Sequence, residues 1–410
     1  MIHDLGKELL KTHSITIVTP SDQAAKSTHV TVEDGIRVVR VKTGNLKNVS
    51  KPLRAWRESH LSADIWRGAH QYFADNPHEL IIFYSPTIFF ASLVRRLKTM
   101  WRCPAYLVLR DIFPKWAVEA GMIRRDGILH RYFRRRELQQ YAAADIIGVE
   151  SPGNLAYFDN DVDLRGYTRE VLYSWTEQHP LKARRNDYRS RLNLVGKAVF
   201  FYGGNIGVAQ DMDNIVRLAQ GLQQYDNIFF LLVGEGSEAS RLKADIDRHG
   251  LKNIAILPAV GQEEYLRMLS EFDVGMISLD RRLTSHNIPG KLFGYLNNNM
   301  PVLASLNSGN DLGTLLRLSE AGIACDNGDD NCLHLAALRL ANDPELRSSM
   351  GRNSGALLSN RFSVSAAATQ ITSHFQSSGQ INSTGGNKLR FRTMIEFSAM
   401  LDGEKYVADF

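Results

Sequence analysis

A glycine-rich turn in the second half of the chain is the sharpest chemical signal in the sequence. An apolar run ends at Tyr202 and passes into several glycines before a helix-like stretch begins. Glycine lets a backbone approach a phosphate closely, and the N-terminus of a following helix offers N–H groups with a partial positive charge. The residues of this turn that could contact a phosphate are Gly203, Gly204, Asn205, Gly207 and Gln210. A tight turn without a ligand has the same residue types, so the pattern alone leaves both interpretations open.

Lys291 is the cation best placed to meet an anion in this half of the chain. It follows Pro289, a residue that suits the first turn of a helix. The positive end of the helix dipole disfavours a lysine in that turn unless the lysine meets an anion such as a diphosphate. A solvated surface lysine is the alternative. His286 and Asn287 precede this helix, where their side chains could face a sugar, although a lone histidine is more often structural.

Two other strand ends carry residues that could do chemistry. The segment Leu231–Ser237 places Gly234 at the end of an apolar strand, at the edge where ligands bind in parallel α/β sheets. In the first half, Arg110 and Asp111 follow another strand, and a carboxylate there could orient or deprotonate an acceptor hydroxyl. Turn chemistry also explains the glycine, and an ion pair between neighbours also explains Arg110 and Asp111.

Positive charge is concentrated in one stretch of the first half. The whole chain carries a net charge of +5, yet twelve Lys and Arg and only three acidic residues lie within 95–136. Two helix-like segments there mix large apolar residues with the arginines Arg95, Arg96, Arg134 and Arg135. Such faces bind anionic membranes at about 1 kcal/mol per basic residue. A core helix with a charged outer face is the alternative, and no nucleic-acid-binding motif accompanies the charge.

The elements that must position these residues alternate between strands and helices. Short apolar runs such as 15–19, 36–41, 80–84, 106–110 and 145–150 alternate with helical patterns, and a second series begins near residue 196. This order predicts parallel sheets with helices on both faces, in two Rossmann-like doubly wound domains. We expect an N-terminal domain over 1–178, a basic linker, a C-terminal domain over 195–376 whose last helix could cross back, and a flexible tail over 377–410.

Both ends of the chain depart from this pattern. The first series starts with a helix-like segment, so the first strand of the N-terminal domain, normally a central one, is expected to be missing. The final 22 residues have no evident place in either domain. Three scattered cysteines are too few for a disulfide framework or a zinc site and favour a reducing cytoplasm. No apolar run is long enough for a membrane-spanning helix, and the first ten residues show no signal-peptide pattern.

The motifs together resemble a known family. YGGNIGVAQDMD, LLVGEGSE, HNIPGKLFGYLNNNMPVLAS, GNDLG and DPELRSSMGRNSGALLSNRFS occur in the order seen in family 4 glycosyltransferases, retaining enzymes with the two-domain GT-B fold. SPTIFFASL and LRDIFPKWAVEAG look like the N-domain of the same family, so the resemblance runs from residue 1 to about 375. Within the family, the chain looks most like the branch with UDP-N-acetyl-L-fucosamine transferases of bacterial O-antigen, lipopolysaccharide and capsule synthesis.

The resemblance implies where the substrates would bind. A nucleotide-sugar donor, UDP-linked in that branch, would lie in the cleft that the two GT-B domains face, with its diphosphate at Gly204–Gly207 and Lys291 and its base near Gly234 and Val260. The acceptor would be a lipid-diphosphate-linked saccharide near Asp111, at the inner face of the cell membrane. No metal or other cofactor is implied, because cationic side chains and helix N-termini neutralise the leaving diphosphate. Together with the positions described above, we expect Asp111, His286 and Lys291 to be the catalytic residues.

Some positions differ from the family pattern, which has two glutamates with seven residues between them. Here those positions read His286 and Gly294, and Asn205 and Gln210 stand where many members have Arg and Lys. Positive charge around the phosphates is therefore reduced, which leaves more to Lys291. Two alternatives to an active glycosyltransferase stay open: a truncated non-catalytic remnant or binding protein, and a GT-B sugar-nucleotide epimerase.

Overall fold

The computed structural model describes the chain except residues 23–26, 47–48, 86, 120, 179–186, 284–287, 376–390 and 397–410. The chain forms two compact units, one of Met1–Trp175 with Val364–Phe410 and the other of Thr176–Ser363. Each unit is a largely parallel sheet with helices, as the alternation of strands and helices predicts. Among the described residues, none of the helices is both long and apolar enough to cross a membrane.

The first unit is built on an eight-stranded sheet. Its strands are β1 (His13–Ser21), β2 (Thr28–Glu33), β3 (Ile36–Lys42), β4 (Leu80–Ser85), β5 (Ala105–Leu109), β6 (Ile146–Val149), β7 (Arg169–Val171) and β14 (Phe391–Glu396). Its helices are α1 (Ile2–Leu10), α2 (Lys51–Asp75), α3 (Ala91–Trp101), α4 (Lys115–Glu119), α5 (Ile128–Tyr141), α6 (Pro152–Asn160) and α15 (Val364–Ser373). The strand order is β2-β3-β1-β14-β4-β5-β6-β7, and β2 alone among these strands runs antiparallel to its neighbour. Every residue of β4, β5 and β6 is buried, as expected where helices cover both faces of a sheet.

Strand β14 lies in the middle of this sheet, inside the segment 377–410 that the sequence suggests is a flexible tail. It runs parallel to both neighbours, β1 and β4. Thr393 pairs with Ile15 on one side and Leu80 on the other, and the side chain of Met394 is fully buried. The central position expected to be empty is therefore filled by residues expected to have no place in either domain. Strand pairing between such distant segments leaves no local signal in the sequence.

The second unit contains a six-stranded parallel sheet. Its strands are β8 (Ala198–Gly203), β9 (Ile228–Val233), β10 (Ile254–Leu257), β11 (Val274–Ser278), β12 (Val302–Leu306) and β13 (Gly322–Asp326). Its helices are α7 (Asp187–Arg191), α8 (Asp213–Gly221), α9 (Ala239–Arg248), α10 (Gln262–Leu269), α11 (Lys291–Asn297), α12 (Asp311–Leu318), α13 (Asp330–Asn342) and α14 (Pro344–Leu357). The strand order β10-β9-β8-β11-β12-β13 is the doubly wound order 3-2-1-4-5-6. Ligands bind in such sheets at the carboxyl ends of the strands where the order reverses, here at β8 and β11.

A disulfide joins Cys325, in β13, to Cys332, in α13. Three scattered cysteines predict no disulfide framework, and the structure differs for this pair. The turn between β13 and α13 brings these two Cα atoms to 5.9 Å, which is within the usual range for a disulfide. Cys103 remains a free thiol, and it is buried in the first unit.

Candidate functional site

Lys291 lies against the glycine turn at the carboxyl end of β8. It begins helix α11, as the preceding proline predicts. Its ammonium nitrogen is 3.7 Å from the centre of the Tyr202 ring, a cation–π contact. A Cβ placed on Gly204 would lie 3.5 Å from Lys291 Cε. The structure therefore brings together the two segments that the sequence singles out, at the point of the sheet where a ligand is expected.

Gly204 is the glycine of this turn whose backbone conformation requires glycine. Its φ of +130° is rarely adopted by residues with a side chain. The residue is exposed, and a Cβ added to it would meet first the last carbon and the nitrogen of Lys291. The exposed backbone of the turn at Gly204 therefore faces the ammonium group of Lys291.

Gly234 has a different role, because two backbones meet there. A Cβ on Gly234 would lie 1.9 Å from the carbonyl oxygen of Gly204. The loop after β8 therefore packs directly on the loop after β9. Gly204 N–H donates to Val233 O at 2.9 Å, and Ile206 N–H donates to Glu235 O at 2.8 Å. Glycine at 234 lets the two loops hold each other in place.

These bonds decide which N–H groups of the turn could reach an anion. Gly207 N–H and the Asn205 side-chain amide both donate to the side-chain oxygen of Gln210, at 3.1 Å each. Within the described part of the chain, the backbone N–H groups of Asn205, Val208 and Ala209 donate no hydrogen bond. All three residues are exposed, and the last two begin a short 3₁₀ helix. They are better placed as phosphate donors than Gly204 or Gly207.

A buried polar network fixes the turn from behind. The side-chain amide of Asn214, in α8, donates to Ser278 Oγ at 3.1 Å and to Ser305 Oγ at 2.9 Å. Ser278 Oγ in turn donates to the carbonyl oxygen of Gln210. The two serines lie at the carboxyl ends of β11 and β12, so the network ties three elements to one edge of the sheet. Sequence reasoning missed these residues, although serines at strand ends and an asparagine early in the next helix are a visible signal.

Four predicted site residues remain to be placed. Val260 is half-buried in the loop after β10, at the same edge of the sheet as Gly204 and Gly234. Gly203 ends β8 and is buried, and its N–H donates to the Tyr295 hydroxyl at 3.2 Å. His286 and Asn287 lie outside the described residues.

In the first unit, Arg110 is held inside the protein. Its guanidinium donates to the carbonyl oxygens of Leu172, at 2.6 Å, and Tyr173, at 3.1 Å, and lies over the Trp175 ring. Only 9% of the residue is exposed. This differs from the predicted contact with an acceptor or a membrane, because the charge is used to fix the segment after β7.

Asp111 follows Arg110 at the carboxyl end of β5 and is joined by a carboxylate that sequence reasoning missed. Glu150 directly follows β6 and accepts a hydrogen bond from Ser174 Oγ at 2.6 Å. Although Asp111 reaches solvent, crowding by protein atoms and then the charge of Glu150 raise its pKa to about 6, against the opposing effect of Arg110. A carboxyl group with such a pKa can take up a proton near neutral pH. Glu150 lies at the end of a predicted strand, and this position is the signal from which the sequence could have indicated it.

The arginines of the basic stretch divide into two groups. Arg134 pairs with Glu137 at 2.7 Å and with Asp161, and it donates to the Tyr157 hydroxyl, so it holds α5 to α6. Arg95, Arg96 and Arg135 are exposed. Arg134 therefore differs from the predicted membrane contact, because its charge is compensated within the unit.

An exposed apolar surface lies beside the exposed arginines, at the start of α5. We call the residues that form it the α5 surface. Its apolar members are Met122, Ile128, Leu129 and Tyr132, and its basic members are Arg124, Arg125, Arg131 and Arg135. Ile128 is 79% exposed and Leu129 60%. Exposed apolar side chains that alternate along the chain with exposed basic ones suit an anionic lipid surface.

Comparison with known proteins finds a family match within the second unit. Residues 184–356 match the family Glycosyl transferases group 1. The probable glycosyltransferase WbjE of Pseudomonas aeruginosa is 23% identical over 231 residues, 54% of this chain and 56% of that protein. The putative colanic acid biosynthesis glycosyl transferase WcaI of Escherichia coli K12 is 27% identical over 128 residues, 30% of this chain and 31% of that protein. These matches span about half or less of the length of the two relatives.

The fold is shown by solved structures. HepE from Anabaena, solved in complex with UDP, is 16% identical, with a TM-score of 0.59, and the alignment covers 89% of this chain and all of that one. The protein therefore has a GT-B-like α/β fold with two Rossmann-like units, as the sequence predicts.

Gly294 stands where the family resemblance implies a donor-binding glutamate. It lies inside α11, and a Cβ there would be 3.1 Å from Leu269 Cδ1 and 3.6 Å from the Tyr265 ring. The same ring would meet a Cβ on Gly203 at 2.3 Å. Tyr265 thus fills the space between α11 and the end of β8, and burial raises the pKa of its hydroxyl. This packing gives a physical reason for glycine at both positions.

Proposed function

We propose that this protein is a retaining glycosyltransferase that moves a sugar from a UDP-linked donor to a lipid-linked saccharide in the synthesis of a bacterial surface polysaccharide. The position of the Lys291 ammonium group, over the Tyr202 ring and beside the exposed Gly204, carries the proposal. A diphosphate bound there would meet one ammonium group and the N–H groups of the 3₁₀ helix. These charges stabilise the leaving UDP without a metal. The family match of this unit and the UDP complex of HepE support the choice of donor.

The acceptor hydroxyl is proposed to bind at Asp111. This carboxylate lies at the carboxyl end of β5, and the pKa of about 6 fits a group that accepts a proton as the hydroxyl attacks. Glu150 keeps that pKa high by its negative charge. His286 is proposed to face the donor sugar. N-acetyl-L-fucosamine is the sugar that the resemblance suggests.

The α5 surface is proposed to hold the protein on the inner face of the cell membrane, where a lipid-linked acceptor is found. Four exposed arginines attract anionic lipid, and the apolar side chains among them insert at the headgroup level. Arg95 and Arg96, on the exposed face of α3, add to the charge of the same unit. The name of WcaI, which refers to colanic acid biosynthesis, supports a role in surface polysaccharide synthesis.

The decisive experiment measures UDP binding by calorimetry with Lys291→Ala. A charged contact to phosphate contributes about 1.5–3 kcal/mol, so we expect the Kd to rise about 10–100-fold. Lys252→Ala is the matched control. Lys252 is exposed in the same unit, but it precedes β10 and so lies at the opposite edge of the sheet. Equal affinities of the two variants would remove Lys291 from the donor site.

The reaction itself is tested with a panel of sugar nucleotides and a lipid-diphosphate-linked saccharide. Transfer with retained anomeric configuration is the expected result. Conversion of a sugar nucleotide into its epimer without an acceptor would assign the epimerase function instead. UDP binding without either reaction would assign a non-catalytic binding protein.

A further inference from the structure

The two sheets have the same strand order if β14 is counted as the first strand of its unit. Without its two edge strands, the antiparallel β2 and the three-residue β7, the first sheet reads β3-β1-β14-β4-β5-β6. With β14 counted first, this is 3-2-1-4-5-6, the order that β8 begins in the second unit. Strand β14 therefore holds in the first unit the position that β8 holds in the second.

Strand β14 is paired along both of its edges. Its residues pair with β1 from His13 opposite Phe391 to Val18 opposite Glu396, and with β4 from Leu80 opposite Thr393 onward. Neighbouring strands are about 4.8 Å apart, so β1 and β4 lie roughly 10 Å from each other and cannot pair directly. Without β14, each would present a row of unpaired backbone groups in the middle of the unit.

One side chain anchors the strand in the core. Met394 is fully buried and belongs to the same apolar cluster as Val18 of β1 and Phe83 of β4. Cys103 is part of this cluster too. The space between β1 and β4 is thus shaped for an extended segment with an apolar side chain at this position.

The connection to β14 has the length that its position requires. Helix α15 ends at Ser373, and seventeen residues, 374–390, follow it before Phe391. Near the end of α15, His374 Nε2 lies 3.0 Å from Glu170 in β7. From β7 to β14 the chain must cross four strand spacings, about 19 Å. A chain of this length can reach at most roughly 55 Å, so β14 can reach its place within its own chain.

We propose that the gap between β1 and β4 is a strand-binding site, and that its occupant is the chain's own segment 391–396, bound as a separable part. The site takes an extended peptide that runs parallel to both neighbours and places an apolar side chain where Met394 lies. The segment 376–390 serves as a tether, so its cleavage leaves the strand bound. The proposal concerns the assembly of the first unit and does not depend on the enzymatic function.

The test is to cut the tether in the folded protein. A seven-residue protease site replaces residues within 377–388, the full-length protein is purified and cut, and the products are separated by gel filtration. We expect the C-terminal fragment to elute with the body. The Cys103 thiol should stay unreactive towards a maleimide, because it is buried and its pKa is raised to about 12. The cut Met394→Leu protein should behave like the cut wild-type protein. With Met394→Asp the fragment should separate, and Cys103 should react with the maleimide on the order of 100-fold faster than in the wild type.

Three outcomes would overturn the proposal. The first is separation of the cut wild-type fragment from the body, whether or not Cys103 stays protected, since the strand would then not stay bound without its tether. The second is equal retention of the fragment with Met394→Asp and Met394→Leu. The third is an intact protein that elutes as a dimer and dissociates only when the tether is cut, because the strand would then come from a second copy. The wild-type cut decides the question even where Met394→Asp does not fold.

Discussion

The close approach of two loops at Gly234 makes Gly234→Ala a sensitive probe of the candidate donor site. The added Cβ would lie 1.9 Å from the carbonyl oxygen of Gly204, whereas ordinary contacts begin at 3.4 Å. About 1.5 Å must be gained by moving one backbone away from the other, because a carbonyl oxygen cannot swing aside as a side chain can. The movement would break the hydrogen bond from Gly204 N–H to Val233 O.

The size of the effect follows from these contacts. A lost backbone hydrogen bond costs about 1 kcal/mol, and an overpacked site about 1–3 kcal/mol more. The free energy of unfolding of the second unit should therefore fall by about 2–4 kcal/mol. In a unit of this size each kcal/mol lowers the Tm by about 2–4 °C, which gives a decrease of about 4–16 °C. The turn that faces Lys291 is displaced as well, so UDP affinity should fall at least about tenfold.

Thermal unfolding followed by circular dichroism and a UDP titration measure the two effects. Gly261→Ala is the matched control, because a Cβ on that exposed residue of the same unit meets no atom within 4 Å. It removes only a weakly preferred cap of α10. If Gly234→Ala melts and binds UDP like Gly261→Ala, the loops do not hold each other as described.

Three further predictions address other parts of the molecule. The kcat/KM for transfer should rise with pH through about 6, since only ionised Asp111 accepts a proton. Glu150→Gln should shift this rise to lower pH, because it removes a charge that raises the pKa of Asp111. A midpoint that does not move would exclude coupling of the two carboxylates. Asn214→Ala leaves two buried serine hydroxyls without their donor and should lower the free energy of unfolding in urea by about 1–3 kcal/mol, whereas an unchanged urea midpoint would show that the network adds no stability. Ile128→Glu should weaken co-sedimentation with anionic vesicles while Val32→Glu, at a similarly exposed site on β2, should not; equal loss in both would argue against the α5 surface.

Much of the second unit could be predicted because its signals are local. Pro289 predicts a helix start, and the structure begins α11 at Lys291. The alternation of strands and helices predicts a parallel sheet, whose carboxyl edge brings Gly204, Gly234 and Lys291 together. These inferences need only the spacing at which apolar residues repeat within a segment and the rule that places ligands at one edge of a parallel sheet.

The features that could not be predicted depend on partners far away in the sequence. Nothing local to Arg110 shows that its guanidinium meets the carbonyl oxygens after β7, and nothing local to Arg134 shows its pairing with Asp161. Likewise, Gly234 looks like a ligand-facing glycine until the backbone of Gly204 is seen against it. The central place of Met394 depends on pairing with strands that lie more than 300 residues earlier in the chain.

The order in which the ribosome delivers these pieces follows from the discontinuity of the first unit. Its first part ends at Trp175, the whole second unit comes next, and the strand that closes the first sheet begins at Phe391. At ordinary translation speeds, roughly 200 residues take about 10–40 s to synthesise. During that interval the nascent first unit has unpaired edges on β1 and β4, while the second unit is free to fold. Chaperones that recognise unpaired strand edges would have about 10–40 s in which to bind them.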